Sequence, residues 1–73
     1  MDNDFNAIAL DVINNKNLSI SEKIDFLVEF KEDTIDEISI IKRKDVHSKR
    51  TLLDLEQYRD WLTEQIEILI KSR

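Results

Sequence analysis

Residues 20–44 read ISEKIDFLVEFKEDTIDEISIIKRK, and this stretch decides the fold. Its apolar side chains recur every three or four positions, which is the spacing of one face of an α-helix. At 100° per residue, one narrow arc of the helix surface collects Ile20, Ile24, Leu27, Val28, Ile35 and Ile38. The pattern predicts a helix over about residues 20–44, and the spacing of Ser19 and Glu22 predicts a capping box at its start.

Apolar residues with the same spacing predict one helix on each side of this stretch. The first covers about residues 4–15 and ends in the run NNKN, because asparagine tolerates the left-handed conformation found at helix ends. Its apolar face contains Phe5, Ile8, Ala9, Val12 and Ile13. The third covers about residues 52–71, with Thr51 as the expected cap. Its main stripe contains Leu52, Leu55, Tyr58, Leu62, Ile66 and Leu69.

The composition favours helices and limits how stable a single copy of the chain can be. Glycine and proline are both absent from the 73 residues, and tight β-hairpin turns depend on these residues. Cysteine is absent as well, so disulfides cannot stabilise the fold. Because a core of this size supplies only about 3–5 kcal/mol, we expect an all-α protein that gains stability by self-association.

The connection between the second and third helices contains no strong helix breaker. Residues 45–48 read DVHS, so a continuous helix of about 50 residues, roughly 75–80 Å long, is an alternative to a hairpin. The hairpin is favoured because the apolar stripe is interrupted between Ile41 and Leu52, and because Ser48 and Thr51 can cap a new helix.

The polar side of the second helix is strongly acidic. Asp25, Glu29, Asp33 and Glu37 follow one another at intervals of four residues, and each such like-charge pair costs a few tenths of a kcal/mol. The simpler interpretation of this acidic column is a solvated outer face. The more specific interpretation is a docking surface for a basic protein. Apolar residues ringed by charge are typical of interface anchors. The predicted partner-binding face consists of Glu22, Asp25, Phe26, Glu29, Asp33, Asp36, Glu37 and Ile40.

Positive charge is concentrated in residues 42–50, which carry a net charge of +4 in a chain of net charge −5. The cluster consists of Lys42, Arg43, Lys44, Lys49 and Arg50. A helix dipole favours cations at the C-terminus of one helix and disfavours them at the N-terminus of the next, so helix electrostatics accounts for only part of the cluster. A solvated turn or an acidic surface of a second copy is the preferred interpretation. Phosphate contact with nucleic acid is the alternative, and its affinity would fall steeply with salt.

A second apolar line on the third helix contains Leu53, Trp61 and Ile68. A helix with two apolar lines needs two neighbours. Tryptophan is a frequent anchor of protein–protein interfaces, so Trp61 is a second candidate residue for partner binding. The alternative is that the first helix folds across this line and completes a three-helix core.

The sequence contains no constellation that predicts catalysis or metal binding. His47 is a lone histidine in a chain without cysteine, and a catalytic triad needs oriented partners. Residues 11–22 resemble a degenerate EF-hand loop, with Asp11, Asn15 and Glu22 at ligand positions. However, Lys16 occupies the position of the turn glycine, and a cation there opposes calcium. We expect no metal, no cofactor and no enzymatic activity.

Charge and apolar content indicate where the protein acts. No apolar run approaches the roughly 18 residues of a membrane span, and the acidic N-terminal residues differ from a targeting peptide. We therefore expect a cytoplasmic protein without membrane contact. The frequent Asn, Lys, Ile and Asp are typical of an AT-rich genome, which suggests a phage or a bacterium.

These features predict one small all-α domain over residues 1–73, in which a short N-terminal helix precedes a long antiparallel helical hairpin. We expect a homodimer that completes a helical bundle. The predicted oligomer core consists of Ile24, Leu27, Ile35, Ile38, Leu55, Tyr58, Leu62, Ile66 and Leu69. The expected function is regulation or inhibition of a basic protein partner. The alternatives are nucleic-acid binding through residues 42–50 and a structural role as an assembly subunit or chaperone.

Overall fold

Three helices make up the part of the chain that the structure describes. This computed structural model describes residues 4–44 and 49–73, with side chains from Asn6 to Arg43 and from Thr51 to Arg73. Helix α1 spans Asp4–Ile13, α2 spans Ile20–Lys44 and α3 spans Lys49–Ser72. No strand is present in these ranges, and the helices pack with the compactness of a small bundle, within 40 × 24 × 16 Å.

Helix α1 ends at Ile13, two residues before the predicted end. The side chain of Asn15 accepts a hydrogen bond from the backbone N–H of Asn17 at 2.8 Å. Asparagine side chains compete in this way with backbone hydrogen bonds of the helix. The asparagine-rich run therefore turns the chain two residues earlier than predicted, directly after the last apolar residue of the helix, Ile13.

The predicted capping box at the start of α2 is confirmed. The backbone N–H of Ser19 donates to Glu22 Oε1 at 2.8 Å, and the backbone N–H of Glu22 donates to Ser19 Oγ at 3.1 Å. Two N–H groups that have no partner within the helix are satisfied by this exchange. The cap fixes where α2 begins, and α2 then continues to Lys44.

Replacing Ser19 with alanine should lower the free energy of unfolding by about 1 kcal/mol, because the Glu22 N–H loses its acceptor. Urea denaturation followed by circular dichroism at 222 nm measures this loss. Ser21→Ala is the matched control, since Ser21 is an exposed serine inside the same first turn. An equal loss in both variants would show that the hydrogen bonds of the cap add nothing to stability.

Helix α3 begins at Lys49, so the prediction that Thr51 caps it is wrong. Thr51 lies in the first turn of the helix instead. Lysine and arginine have high helix propensities, and neither Lys49 nor Arg50 interrupts the helical backbone. The other proposed cap, Ser48, lies outside the described residues.

Helices α2 and α3 pack against each other and form most of the core. Leu27 of α2 and Leu62 of α3 are fully buried, and they share one cluster with Tyr58 and with Ala9 of α1. A single rod of about 50 residues could not bring these residues together, and its length of roughly 75 Å would exceed the 40 Å extent of the chain. The continuous-helix alternative is therefore wrong.

Helix α1 covers only part of the α2–α3 pair. Ala9 is fully buried against the pair, since its small side chain allows a close approach, and Ile13 packs at the edge of the same cluster. Ile8, predicted to lie on the apolar face of α1, is 62% exposed. At 1.5 Å per residue, the ten residues of α1 reach less than half the length of α2, so much of the groove between α2 and α3 lies beyond α1.

Candidate protein-binding face of the second helix

The structure exposes every residue of the predicted partner-binding face, which we call the acidic face. Its members on α2 are Glu22, Asp25, Phe26, Glu29, Asp33, Asp36, Glu37 and Ile40. They occupy one side of the helix, away from the buried side chains of Leu27, Thr34 and Ile38. Phe26 and Ile40 remain 42% and 44% exposed. Two large apolar side chains thus lie in contact with solvent among six carboxylates.

The carboxylates of the acidic face are not neutralised by the described cations. Among the described side chains, ion pairs join Lys42 to Glu56 at 3.7 Å and Arg59 to Asp60 at 3.1 Å. Neither pair includes a member of the acidic face. The face therefore presents six carboxylates without a described ion-pair partner, and a patch of one charge accelerates and orients the approach of an oppositely charged partner.

Phe26 is held in place by a neighbouring aromatic ring. Its ring centroid lies 6.3 Å from that of Phe30 at an interplanar angle of 36°, and Phe30 packs against the buried cluster. An open depression of about 220 Å³ beside Phe26 is bordered by Glu22, Asp25 and Glu29. An exposed aromatic ring that packs on a partly buried one and is surrounded by carboxylates is typical of an interface anchor.

A second concavity lies between α2 and α3 at the edge of the acidic face, and we call it the α2–α3 hollow. It has a volume of about 190 Å³ and is lined by Phe30, Asp33, Thr34, Glu37, Leu55 and Tyr58. Sequence reasoning missed it. Thr34 was the available signal, because it follows Leu27 by seven residues and so shares its side of the helix. A short side chain in that position leaves space beside the core.

The two buried polar side chains that line the hollow, Thr34 and Tyr58, add no charge to it. Thr34 is 6% exposed, and its hydroxyl donates to the carbonyl oxygen of Phe30 at 2.8 Å. The Tyr58 phenol is uncharged at neutral pH, as phenols ordinarily are, and burial raises its pKa further. Among the described residues that line the hollow, Asp33 and Glu37 carry the charges, and both are exposed.

The sequence allows Trp61 to be an exposed interface anchor or a core residue, and the structure places it at the edge of the core. It is partly buried, packs against the core cluster and stacks on Tyr58 with ring centroids 6.3 Å apart. Asn6 of α1 lines a surface hollow together with Trp61, so α1 reaches the middle of the second apolar line. The ends of the line, Leu53 and Ile68, remain about half exposed.

The basic cluster is described only in part. Lys42 and Arg43 are exposed at the end of α2, and Lys42 lies 3.7 Å from Glu56 of α3. The side chains of Lys44, Lys49 and Arg50 lie outside the described set. Phosphate contact and contact with a second subunit therefore both stay predictions for these residues.

The predicted oligomer core divides into buried and accessible residues. The side chains buried within the single chain are Leu27, Ile38, Leu55, Tyr58 and Leu62. The partly exposed or exposed ones are Ile24, Ile35, Ile66 and Leu69. The two stripes thus face each other inside one copy, and only the second group is accessible to another chain.

Two of the three ligand positions of the degenerate calcium loop have other roles. Asn15 forms the turn after α1, and the Glu22 carboxylate forms the cap of α2. Nowhere in the described residues do three or more His, Cys, Asp or Glu side chains come close enough to hold a metal ion.

The described helices also lack a stretch long and apolar enough to cross a membrane. Comparison with protein-family models, with curated proteins and with solved structures finds no significant match to this chain.

Proposed function

We propose that the protein is a non-enzymatic regulator or inhibitor, which binds a basic protein through the acidic face of α2. The observation that supports this most directly is the exposure of Phe26 and Ile40 among six carboxylates without described counter-ions. Apolar anchors supply affinity at the centre of an interface, and the surrounding charge selects the partner and raises the association rate.

We further propose that α2 and α3 form an antiparallel hairpin that presents this face on a rigid support. Two observations support the antiparallel arrangement. Lys42, near the end of α2, pairs with Glu56, near the start of α3. Leu27, early in α2, shares its cluster with Leu62, just past the middle of α3, and Leu69, late in α3, packs against the same cluster. A face carried on packed helices keeps its charges in fixed positions, which lowers the entropic cost of binding.

We also propose that the protein is a homodimer. The support is the number of large apolar side chains left exposed on a chain of this size, including Val28, Ile35 and Ile70. Contiguous exposed apolar surface on a small protein marks an interaction site. The dimer uses a side of α2 other than the acidic face, so both proposals can hold at once.

Reversing two charges of the acidic face should abolish capture of the partner. In the double variant Glu29→Lys/Asp33→Lys, like charges meet across the interface, and such a contact costs several kcal/mol. The immobilised wild-type protein and the variant are incubated with a bacterial cell lysate at moderate salt. Mass spectrometry then compares the proteins retained by each. We expect a basic protein that the wild type enriches and the variant loses.

The matched control is Glu64→Lys/Glu67→Lys, which makes the same change in net charge at exposed positions of α3. Circular dichroism checks that both variants keep their helix content. Retention of the same proteins by the wild type and by the variant of the acidic face would exclude this face as the binding surface. Equal losses in both variants would show that only net charge matters.

A further inference from the structure

The α2–α3 hollow has the size of a site for a single side chain. Its volume is about 190 Å³, whereas pockets for drug-sized ligands measure about 300–1,000 Å³. A cavity of about 150 Å³ is large enough to hold benzene. The hollow is open to solvent on one side, so a side chain of a docked protein can enter it.

The walls of the hollow combine an apolar base with negative charge at the rim. Leu55 and the aromatic rings of Phe30 and Tyr58 line it from within, and Tyr58 is 7% exposed. Asp33 and Glu37 lie one helical turn apart on the rim and are exposed. These carboxylates repel an anionic side chain. A purely apolar side chain would shield them from water without giving them a charged partner, and burying an unpaired charge costs free energy.

We propose that the α2–α3 hollow accepts one arginine side chain of the basic partner. The proposal rests on the proposed function and names the contact at its centre. The aliphatic part of an arginine packs on apolar surface while its charged end stays near solvent. Its planar guanidinium stacks on aromatic rings and donates hydrogen bonds to carboxylates in a fork geometry, which a lysine ammonium cannot reproduce.

The hollow also extends the acidic face toward the core. Asp33 and Glu37 belong to both, and Phe30 connects the hollow to the exposed anchor Phe26 through their ring contact. A basic segment lying along α2 can therefore place an arginine in the hollow while its other charges meet Asp25 and Glu29. One deep contact surrounded by weaker ones is the usual distribution of binding energy at an interface.

Nuclear magnetic resonance with a defined peptide tests the proposal. The full chain, labelled with ¹⁵N, is titrated with acetyl-hexa-arginine amide and, in parallel, with acetyl-hexa-lysine amide. We expect the largest amide shifts at Thr34, Leu55 and Tyr58. The arginine peptide should bind at least about threefold more tightly than the lysine peptide, because only the guanidinium stacks on the rings and forks onto the carboxylates.

Two variants with the same loss of charge separate the hollow from the rest of the acidic face. Asp33→Asn/Glu37→Gln should weaken binding of hexa-arginine about tenfold or more, because charged hydrogen bonds are lost. Asp25→Asn/Glu29→Gln should weaken both peptides by a smaller and equal factor. Equal weakening by both variants, or equal affinity for both peptides, would overturn the proposal. The proposed function is judged separately, by capture with the charge-reversed face.

The source of the arginine is also tested. Sedimentation of the chain alone compares the wild type with Asp33→Asn/Glu37→Gln. An unchanged association state agrees with a site for a partner protein. A shift toward monomer would instead assign the hollow to a basic side chain of a second copy, and the proposal of a partner arginine would then be wrong.

Discussion

Replacing Leu62 with alanine is expected to lower the free energy of unfolding by about 2–5 kcal/mol, the range measured for such changes in protein cores. Leu62 is fully buried and shares its cluster with Ala9, Leu27 and Tyr58. The change therefore leaves a cavity at the point where all three helices meet. A loss of about 3 kcal/mol lowers the melting temperature of so small a domain by roughly 12–24 °C, and most of its stability is then gone.

Leu53→Ala is the matched control, since it makes the same chemical change in the same helix at a side chain that is 52% exposed. It should alter the free energy of unfolding by no more than about 0.5 kcal/mol. Urea denaturation of both variants at one protein concentration, followed by circular dichroism and by Trp61 fluorescence, gives the comparison. Similar losses in the two variants would mean that Leu62 is not at the centre of the core.

The helices could be predicted from the sequence because their causes are local. The apolar spacing of residues 20–44 and the pair Ser19 and Glu22 contain the whole signal for α2, and the structure has α2 at Ile20–Lys44 with the predicted cap. Phe26 and Ile40 lie away from the predicted apolar arc of α2 and are exposed, as their positions indicate. Val28 and Ile35 belong to that arc and are exposed as well.

What could not be predicted depends on contacts between elements. Apolar spacing shows which residues of α2 and α3 avoid water, but it does not show whether their partners belong to the same chain. The predicted oligomer core includes Leu27 and Leu62, which the structure buries within one copy. The contribution of a second copy to this core stays a prediction. The α2–α3 hollow likewise depends on where the rings of Phe30 and Tyr58 lie relative to each other, which the order of residues along either helix does not contain.

The wild-type protein is expected to sediment as a dimer, and the double variant Val28→Glu/Ile35→Glu as a monomer. Both residues are exposed, at 36% and 40%, so the substitutions spare the core of each copy. With Ile24 they fall within an arc of about 40° on α2, more than about 100° from the middle of the acidic face. Burying two carboxylates in an apolar contact costs several kcal/mol, so the dimer dissociation constant should rise at least about a hundredfold.

Analytical ultracentrifugation over a range of protein concentrations measures the association of each variant. Leu53→Glu/Ile68→Glu is the matched control, because it adds the same two charges at exposed apolar positions of α3. A wild-type mass of 8.7 kDa at every concentration would exclude the dimer, and equal dissociation of both variants would place its contact elsewhere. Because the tested stripe and the acidic face lie on different sides of α2, a dimer held by Val28 and Ile35 presents two acidic faces at once. A partner with two basic sites would then bind the dimer more tightly than the monomeric variant, although no residue of the acidic face has changed.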